Sequence, residues 1–337
     1  MNHVAVDLGS RKSQFCVRSP DGEVLREAKV PTKDLHVVFE GLEKSRVVLE
    51  TCAEAFAVAQ MATAAGHEVS VVPSTLAPSL GVGQRGVKTD KKDAQNLSLA
   101  SCRMGKLPGV HCPSMMAIER RALLTSRAAL VTTRTGLVNG VRGWMRTQLL
   151  SAGSGATTKF PQRARAVALM NPSGLPEHIE RTLKVLDEVN KQIAAADKEL
   201  GEMVKRDATC QRLMTVPGVG PVTSAAFQAA LDDVGRFKTA HAVESYLGLT
   251  PGESSSGMKT NRLGITSAGP VRVRTALVQA AWCAYRTRPD DPMVQWARKI
   301  AERRPVQVAI VALARKMSGI LFAIWRDNSN YNPTRSK

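Results

Sequence analysis

The sequence has 337 residues, with 47 lysines and arginines against 29 aspartates and glutamates, so its formal net charge is +18. This excess predicts a polyanionic partner, either nucleic acid or an anionic membrane surface. Hydrophobic residues make up 43%, which excludes a wholly disordered chain, and the length favours about two domains. Aromatic residues make up only 4%, which argues against a base-stacking surface for single strands.

The cysteines and the apolar segments bear on compartment and on membrane binding. The six cysteines contain no C-x-x-C pair, which argues against a zinc site and a disulfide scaffold. The N-terminus lacks a basic segment followed by a long apolar one, as a signal peptide would have. The apolar segment 306–325 is broken by Arg315 and Lys316, which predicts a buried amphipathic helix. We therefore expect a cytoplasmic, nucleoid-associated protein with reduced thiols and no membrane partner.

Positive charge is concentrated after the first third of the chain. Residues 1–105 hold 13 basic and 12 acidic residues, a balance of +1, whereas residues 106–337 hold 34 and 17, a balance of +17. The stretch 106–175 has ten basic residues and a single acid, Glu119. This asymmetry predicts a near-neutral first module and a polyanion-binding remainder.

The first third has the pattern of an α/β module. The segments 3–8 and 13–18, and the segment after the turn Pro20-Asp21-Gly22, predict three strands in a meander. A helix over 33–44, a buried strand over 46–50, an Ala-rich helix over 53–66 and a strand over 68–73 follow. The order βββαβαβ, followed by helices, predicts a mixed sheet.

The middle of the chain predicts two long helices. One spans about 114–150, and the other spans 177–205 with apolar residues three and four apart. Between them, 151–176 is rich in Gly, Ser and Pro and predicts a flexible connector. The two helices form either a hairpin within one chain or a pair between subunits, and heptad spacing does not separate these alternatives.

The last third predicts a helical domain with one irregular stretch over 250–269. Two helices flank a Gly-Val-Gly turn in 212–231, and four more cover 241–250, 270–288, 292–303 and 305–326. The chain is thus divided into an N-terminal domain over 1–105, a helical middle over 106–206, a C-terminal domain over 207–327 and a fraying tail over 328–337.

Four acids in the first third have a pattern that suits metal binding. Asp7 and Glu50 each end a predicted strand, while Asp90 and Asp93 lie three residues apart, on one face of a helix for which Thr89 is a suitable N-cap. Carboxylates that converge repel one another unless a cation lies between them, and oxygen ligands favour Mg²⁺ or Mn²⁺. The simpler interpretation is that each acid caps an element or faces solvent.

Basic residues and glycines supply candidate nucleic-acid contacts. Lys91 and Lys92 suit a phosphate backbone, although a solvated helix face explains them equally well. The turn containing Gly218 and Gly220 resembles a helix–hairpin–helix element that binds DNA phosphates, or is a tight turn between helices.

A serine-rich loop with cations around it lies in the irregular stretch. Three serines, 254–256, precede Gly257. A serine that attacks a phosphodiester needs neighbouring positive charge to stabilise the phosphorane, although most Ser-rich loops are only loops. The cations available for this role are Lys259, Arg262, Arg272 and Arg274.

The segments VAVDLG, VVLETC and GVKTDKKDA, together with the later block GLTP…SG…ITSAGPVRVRTAL, resemble a known family. It is the family of bridge-RNA-guided DEDD insertion-sequence transposases, which have a RuvC-like N-terminal domain and a C-terminal serine transposase domain. The resemblance implies an α/β RNase H-like (RuvC-like) fold for 1–105, a long helical or coiled-coil middle, and a mostly α-helical C-terminal domain. It makes Asp7, Glu50, Asp90 and Asp93 the metal-binding tetrad and Ser256 the nucleophile, with Ser255 as the alternative.

The resemblance further implies an RNA-guided recombinase with Mg²⁺ or Mn²⁺ as cofactor. Its partners are target and donor DNA, a structured guide RNA, and further copies of itself in a dimer or tetramer with composite active sites. The helical middle is then the segment for assembly and RNA binding. Two other classes stay open: a metal-dependent nuclease of the Holliday-junction type without a serine intermediate, and a non-catalytic assembly protein.

Overall fold

The computed structural model describes residues 1–80, 89–172, 174–253 and 262–336. They divide into two compact units, Met1–Pro113 and Ser114–Lys337. The sequence placed boundaries at 105 and 206 instead. Residues 106–113 belong to the first unit, where Val110 forms a β-bridge with Val71. The helical middle belongs to the second unit because Leu124 and Leu200 share a hydrophobic core with the C-terminal helices.

The first unit is built on a five-stranded mixed sheet, as the sequence predicted. The first three strands form an antiparallel meander, the fourth strand pairs in parallel with the first, and the fifth pairs in parallel with the fourth, which confirms the order βββαβαβ. From one edge to the other, the strands are β3 (Val24–Pro31), β2 (Lys12–Arg18), β1 (His3–Asp7), β4 (Arg46–Glu50) and β5 (Glu68–Val72).

Helices cover both faces of this sheet because its central strands are apolar on both sides. Val4 and Leu49 point to the face covered by α1 (Leu35–Glu40) and α2 (Ala55–Ala64). Ala5 and Val48 point to the opposite face, where they pack against α3 (Asp90–Arg103). The first helix ends at Gly41 and is shorter than the predicted 33–44.

The second unit begins with a helical hairpin within the chain. The helices α4 (Met115–Thr147) and α6 (Glu177–Lys205) pack together, with Arg127 paired to Asp197 and Met145 in one cluster with Ile179. They are therefore antiparallel, which decides between the two arrangements left open by the sequence. The predicted connector 151–176 was wrong in one part, because α5 (Phe160–Leu169) lies within it and closes this end of the hairpin.

The remaining helices build the main core of the second unit, in which the helix Pro221–Leu231 is buried along nearly its whole length. The irregular stretch 250–269 contains a pair of short antiparallel strands, which the sequence did not predict. The elements are α7 (Ala208–Leu213), α8 (Pro221–Leu231), α9 (Ala240–Tyr246), β6 (Pro251–Glu253), β7 (Arg262–Ile265), α10 (Val271–Thr287), α11 (Pro292–Ala301) and α12 (Val306–Arg326).

Helix α12 is long and apolar enough to cross a membrane by length and composition. Half of its most apolar window is buried inside the protein. Leu313, Met317 and Leu321 lie on this inner face and pack in the core of the second unit. The helix has the amphipathic burial that the sequence predicted for 306–325.

Candidate active site

Two of the four predicted acids lie side by side at one edge of the sheet. Asp7 is the last residue of β1 and Glu50 is the last residue of β4. These strands are parallel, and Val6 lies opposite Leu49. Because side chains alternate along a strand, both acids follow the face covered by α3. The carboxyl ends of two neighbouring strands therefore present two carboxylates on one face.

Helix α3 brings the other two acids to the same edge. Its direction is fixed by contacts with the sheet: His3, at the start of β1, contacts Ser101 near the helix end at 2.9 Å. The helix therefore runs antiparallel to β1, and its first turn lies toward Asp7. Thr89 caps this turn by accepting a hydrogen bond from the Lys92 N–H. Asp93, in that turn, is only 5% exposed.

Lysines already contact acids around this edge. The Lys29 ammonium lies 2.7 Å from the Asp90 carboxylate, and Lys91 lies 3.0 Å from Glu27. Burial opposes ionisation of Glu27, but hydrogen bonds from Lys91 and Gln95 hold its pKa below the usual value. Lys92 is exposed. Within the described ranges, no group of three or more metal-ligating side chains is close enough to hold a metal ion. The structure thus brings the four acids to one edge but does not gather three of them into a closed metal site.

The serine loop falls in residues that the structure does not describe. Ser255, Ser256 and Lys259 belong to 254–261, so their predicted roles stay predictions. The flanking strands pair, with Pro251 opposite Ile265 and Glu253 opposite Arg262. This pairing holds the two ends of the loop next to each other.

The two glycines of the predicted helix–hairpin–helix turn have different surroundings. Gly218 has a φ of +82°, and a Cβ on it would lie 2.2 Å from the Ala280 carbonyl oxygen. This glycine is required because the backbone of α10 passes directly against it, and its predicted phosphate contact stays a prediction. Gly220 is the N-cap of α8, and a Cβ there would meet no atom within 4 Å. Of the two glycines, Gly220 offers room for a ligand.

The arginines that begin α10 also divide into two roles. Arg274 is only 8% exposed, and its Nη1 donates to the carbonyls of Leu247 at 3.0 Å and Ala268 at 2.7 Å. These bonds hold the end of α9 to the segment before α10 and favour a structural role, and the predicted contact of Arg274 with nucleic acid stays a prediction. Arg272 is exposed and donates to the Thr125 hydroxyl. It keeps its position as a candidate phosphate contact.

A buried polar network in the second unit was not predicted from the sequence. Arg120 contacts Asp207 and Gln228, and the Cys210 thiol donates to the Gln228 side-chain oxygen at 3.0 Å. Burial raises the pKa of Asp207, but the N–H of Cys210 and the side chains of Arg120 and Gln228 bring it below its usual value. Burial raises the pKa of Cys210 to about 12. One signal was present: Arg120 occupies an inward position between Ala117 and Leu124.

Much of the positive charge in 106–175 is engaged within the second unit. These contacts favour a structural role for many of the arginines, and RNA binding by 106–206 stays a prediction. The engaged residues are Arg120 with Asp207, Arg121 with the Ala229 carbonyl, Arg127 with Asp197, Arg142 over the Phe160 ring, Arg163 with the carbonyls of Ala152 and Ala156, and Arg165 with Glu180 and Asp187.

Family models match two segments of this chain, and known transposases are similar to nearly its full length. Residues 4–148 match the DEDD transposase model of the IS110 type, and residues 210–294 match the model described as Transposase IS116/IS110/IS902 family. The transposase for insertion sequence element IS1111A of Coxiella burnetii is 28% identical over 97% of this chain and 90% of that protein. A probable family 20 transposase of Pseudomonas aeruginosa is 28% identical over 99% and 100%.

A third relative, the transposase for insertion sequence element IS1328 of Yersinia enterocolitica, is 24% identical over 95% of this chain and 96% of its own. These similarities run along nearly the full length of each chain. They agree with the two family models, which together match the acidic sheet edge and the helical region before and after the serine loop. The chain is thus similar, along nearly its whole length, to insertion-sequence transposases of the IS110/IS116/IS902 family.

Proposed function

We propose that this protein is an insertion-sequence transposase that acts as an RNA-guided DNA recombinase, with a carboxylate-bound divalent metal ion and Ser256 as nucleophile. The observation that carries the metal part is the position of Asp7 and Glu50 at neighbouring strand ends, on the sheet face covered by α3, whose first turn carries Asp90 and Asp93. The order of the five strands, with a meander followed by two parallel strands, supports an RNase H-like classification of the first unit.

The residues at this edge fit a hard divalent cation. The donors are carboxylate oxygens, which Mg²⁺ and Mn²⁺ prefer, and Asp93 is a nearly buried acid that a cation would stabilise. Asp7, Glu50, Asp90 and Asp93 would hold the ion. When bound, a divalent ion supplies charge stabilisation to the phosphorane and lowers the pKa of an attacking hydroxyl.

The serine step exchanges one phosphoester bond for another, so it needs no external energy source. The Ser256 oxygen forms a bond to the phosphorus, the bond from that phosphorus to one DNA oxygen breaks, and the serine proton leaves to a base or to water. The DNA strand that leaves carries a free hydroxyl. Attack by a second strand's hydroxyl on the phosphoserine reverses the step and joins new partners. Arg272, which is exposed in the first turn of α10, is a candidate to neutralise phosphate charge.

The composite active site is tested by mixing two inactive variants. Asp7→Asn removes a metal ligand, and Ser256→Ala removes the nucleophile. If the acids of one subunit serve the serine of another, an assembly of both variants contains one intact site, so a DNA–protein adduct returns in the mixture with guide RNA and Mg²⁺. A site within one chain gives no adduct in the mixture, and that result would refute the composite arrangement.

The second candidate function is a metal-dependent nuclease of the Holliday-junction type. It is favoured by the same carboxylates, which need no serine to assist hydrolysis. The two functions differ in one result: Ser256→Ala abolishes strand cleavage in the recombinase but leaves it intact in the nuclease, whereas Asp7→Asn abolishes cleavage in both. Guide RNA dependence is tested by sequencing the RNA that copurifies with the protein. An absence of any enriched structured RNA would contradict it.

A further inference from the structure

Lys29 occupies an unusual position relative to the four acids. It lies on β3, the edge strand of the sheet, and its ammonium contacts Asp90, the first residue of α3, at 2.7 Å. The two side chains are 49% and 59% exposed. The pair therefore bridges the sheet to the helix terminus without being sealed from solvent, so other cations have access to the carboxylate.

The strand register places Lys29 at the same level of the sheet as the strand acids. Lys29 lies opposite Gln14, and Gln14 lies opposite Asp7. Glu50 follows Asp7 on the next strand. We call these four residues, Lys29, Gln14, Asp7 and Glu50, the carboxylate row. Its Lys29 end contacts Asp90, the first residue of α3.

The side chain of Lys29 faces α3, as the strand acids do. Two residues before it, Glu27 contacts both Lys91 and Gln95 of α3. Because alternate residues share a face of a strand, Lys29 is on that same side. The row therefore contains a positive charge at one end and two negative charges at the other, with Asp90 and Asp93 above it.

Acids gathered at one edge repel one another when no cation is present. An ammonium is a compact, strongly hydrated charge on a flexible stem, so it pairs with a carboxylate and leaves it readily. A divalent ion that binds the row competes for Asp90 and is repelled by Lys29. An exposed ion pair contributes little, about 0.2–1 kcal/mol, which corresponds to up to about fivefold in a dissociation constant.

We propose that Lys29 is a resident counter-ion of the four acids at this edge, which neutralises Asp90 in the metal-free protein and is displaced when a divalent ion binds them. Lys29 is thus a positioning residue that lowers metal affinity. This role rests on the proposed metal site. It predicts an effect on metal binding in the absence of any nucleic acid.

The test is a Mn²⁺ titration of the full-length protein without nucleic acid, with free Mn²⁺ measured by electron paramagnetic resonance. The variant Lys29→Met keeps an unbranched side chain of similar length and removes the charge. We expect the Mn²⁺ dissociation constant of this variant to be about two- to fivefold lower than that of the wild type. Lys29→Gln should give the same result, which would show that the effect comes from removal of the charge and not from the methionine side chain.

The matched control is Lys91→Met. It removes the same charge from the other lysine that pairs α3 with β3, but at a position one step further from the row. We expect it to change the Mn²⁺ dissociation constant by a factor of about 1.5 or less, because its ammonium pairs with Glu27, which is not one of the four proposed metal ligands. An equal effect of both variants would overturn the specific role of Lys29.

Two other results separate the inference from the proposed function. Absence of Mn²⁺ binding in the wild type, with no change in Asp7→Asn, overturns the metal site and the role of Lys29 with it. Mn²⁺ binding that is lost in Asp7→Asn but unchanged or weakened in Lys29→Met leaves the metal site in place and overturns only the counter-ion role. Thermal unfolding in chelator checks that each variant is folded.

Discussion

Replacement of Gly218 by alanine should destabilise the second unit strongly. The added Cβ would lie 2.2 Å from the Ala280 carbonyl oxygen and 2.9 Å from the Ala284 nitrogen, both backbone atoms that cannot move away cheaply. The φ of +82° adds a cost for any residue with a Cβ. We expect about 1–2 kcal/mol from the backbone conformation and about 1–3 kcal/mol from the overpacking, which together come to about 2–5 kcal/mol.

Tryptophan fluorescence measures this effect in the correct unit, because all four tryptophans lie in Ser114–Lys337. For a unit of this size, the expected loss lowers the midpoint of thermal unfolding by roughly 5–20 °C. Gly220→Ser is the matched control: a Cβ there meets open space, and serine is a favoured N-cap, so we expect a change within about 0.5 kcal/mol.

The result that would refute this reasoning is a Gly218→Ala protein whose midpoint equals that of the wild type. It would mean that α10 does not approach the turn closely and that Gly218 is free for another role. An equal loss of stability in Gly218→Ala and Gly220→Ser would instead indicate that the whole turn is sensitive to substitution. Loss of DNA binding in Gly218→Ala without loss of stability would support the phosphate-contact interpretation from the sequence.

Three further predictions concern the second unit. Arg274→Met should lower the free energy of unfolding in urea by about 2–4 kcal/mol, because two carbonyls lose their donor. Arg272→Gln should leave stability unchanged and reduce the salt dependence of DNA binding by about one ion. The reverse pattern would contradict the structural role of Arg274 and the exposed role of Arg272. The pKa of Asp207 is lowered in the folded protein, so its contribution to stability is present above the usual aspartate pKa and is lost as pH falls through the folded value. Asp207→Asn should therefore flatten the dependence of the unfolding midpoint on acid pH. An unchanged slope would contradict this role of Asp207. At pH 8 a thiol reagent should label exposed Cys283 in the native protein but Cys210, with its pKa near 12, only after unfolding, as peptide mapping would show.

The fold of the first unit followed closely from local sequence patterns. The short apolar run around Val4, the alternation around Val17 and the turn at Gly22 predicted a meander because these signals act over a few residues. Asp7 and Glu50 could be placed at one edge because the carboxyl ends of parallel strands meet there. The ion pair of Lys29 with Asp90 could not be predicted, since it depends on the angle at which α3 crosses the sheet.

The roles of individual glycines and arginines in the second unit were harder to predict. Gly218 and Gly220, two residues apart in one turn, differ only because α10 returns to one of them. Arg272 and Arg274 look equivalent in the sequence, but a helix turns about 100° per residue, so two positions apart they face opposite sides, one outward and one into the core.

The sequence by itself determined the strand order, the two long helices, the positions of the four acids and the uneven distribution of charge. These features are written in spacing and composition, which act locally along the chain. Only the tertiary structure decided that the long helices fold back on each other, that α3 runs antiparallel to β1, and that many arginines of 106–175 contact their own unit. Burial and pairing depend on residues far apart in the chain, so a count of +18 could predict a polyanionic partner but not which cations are available to bind it.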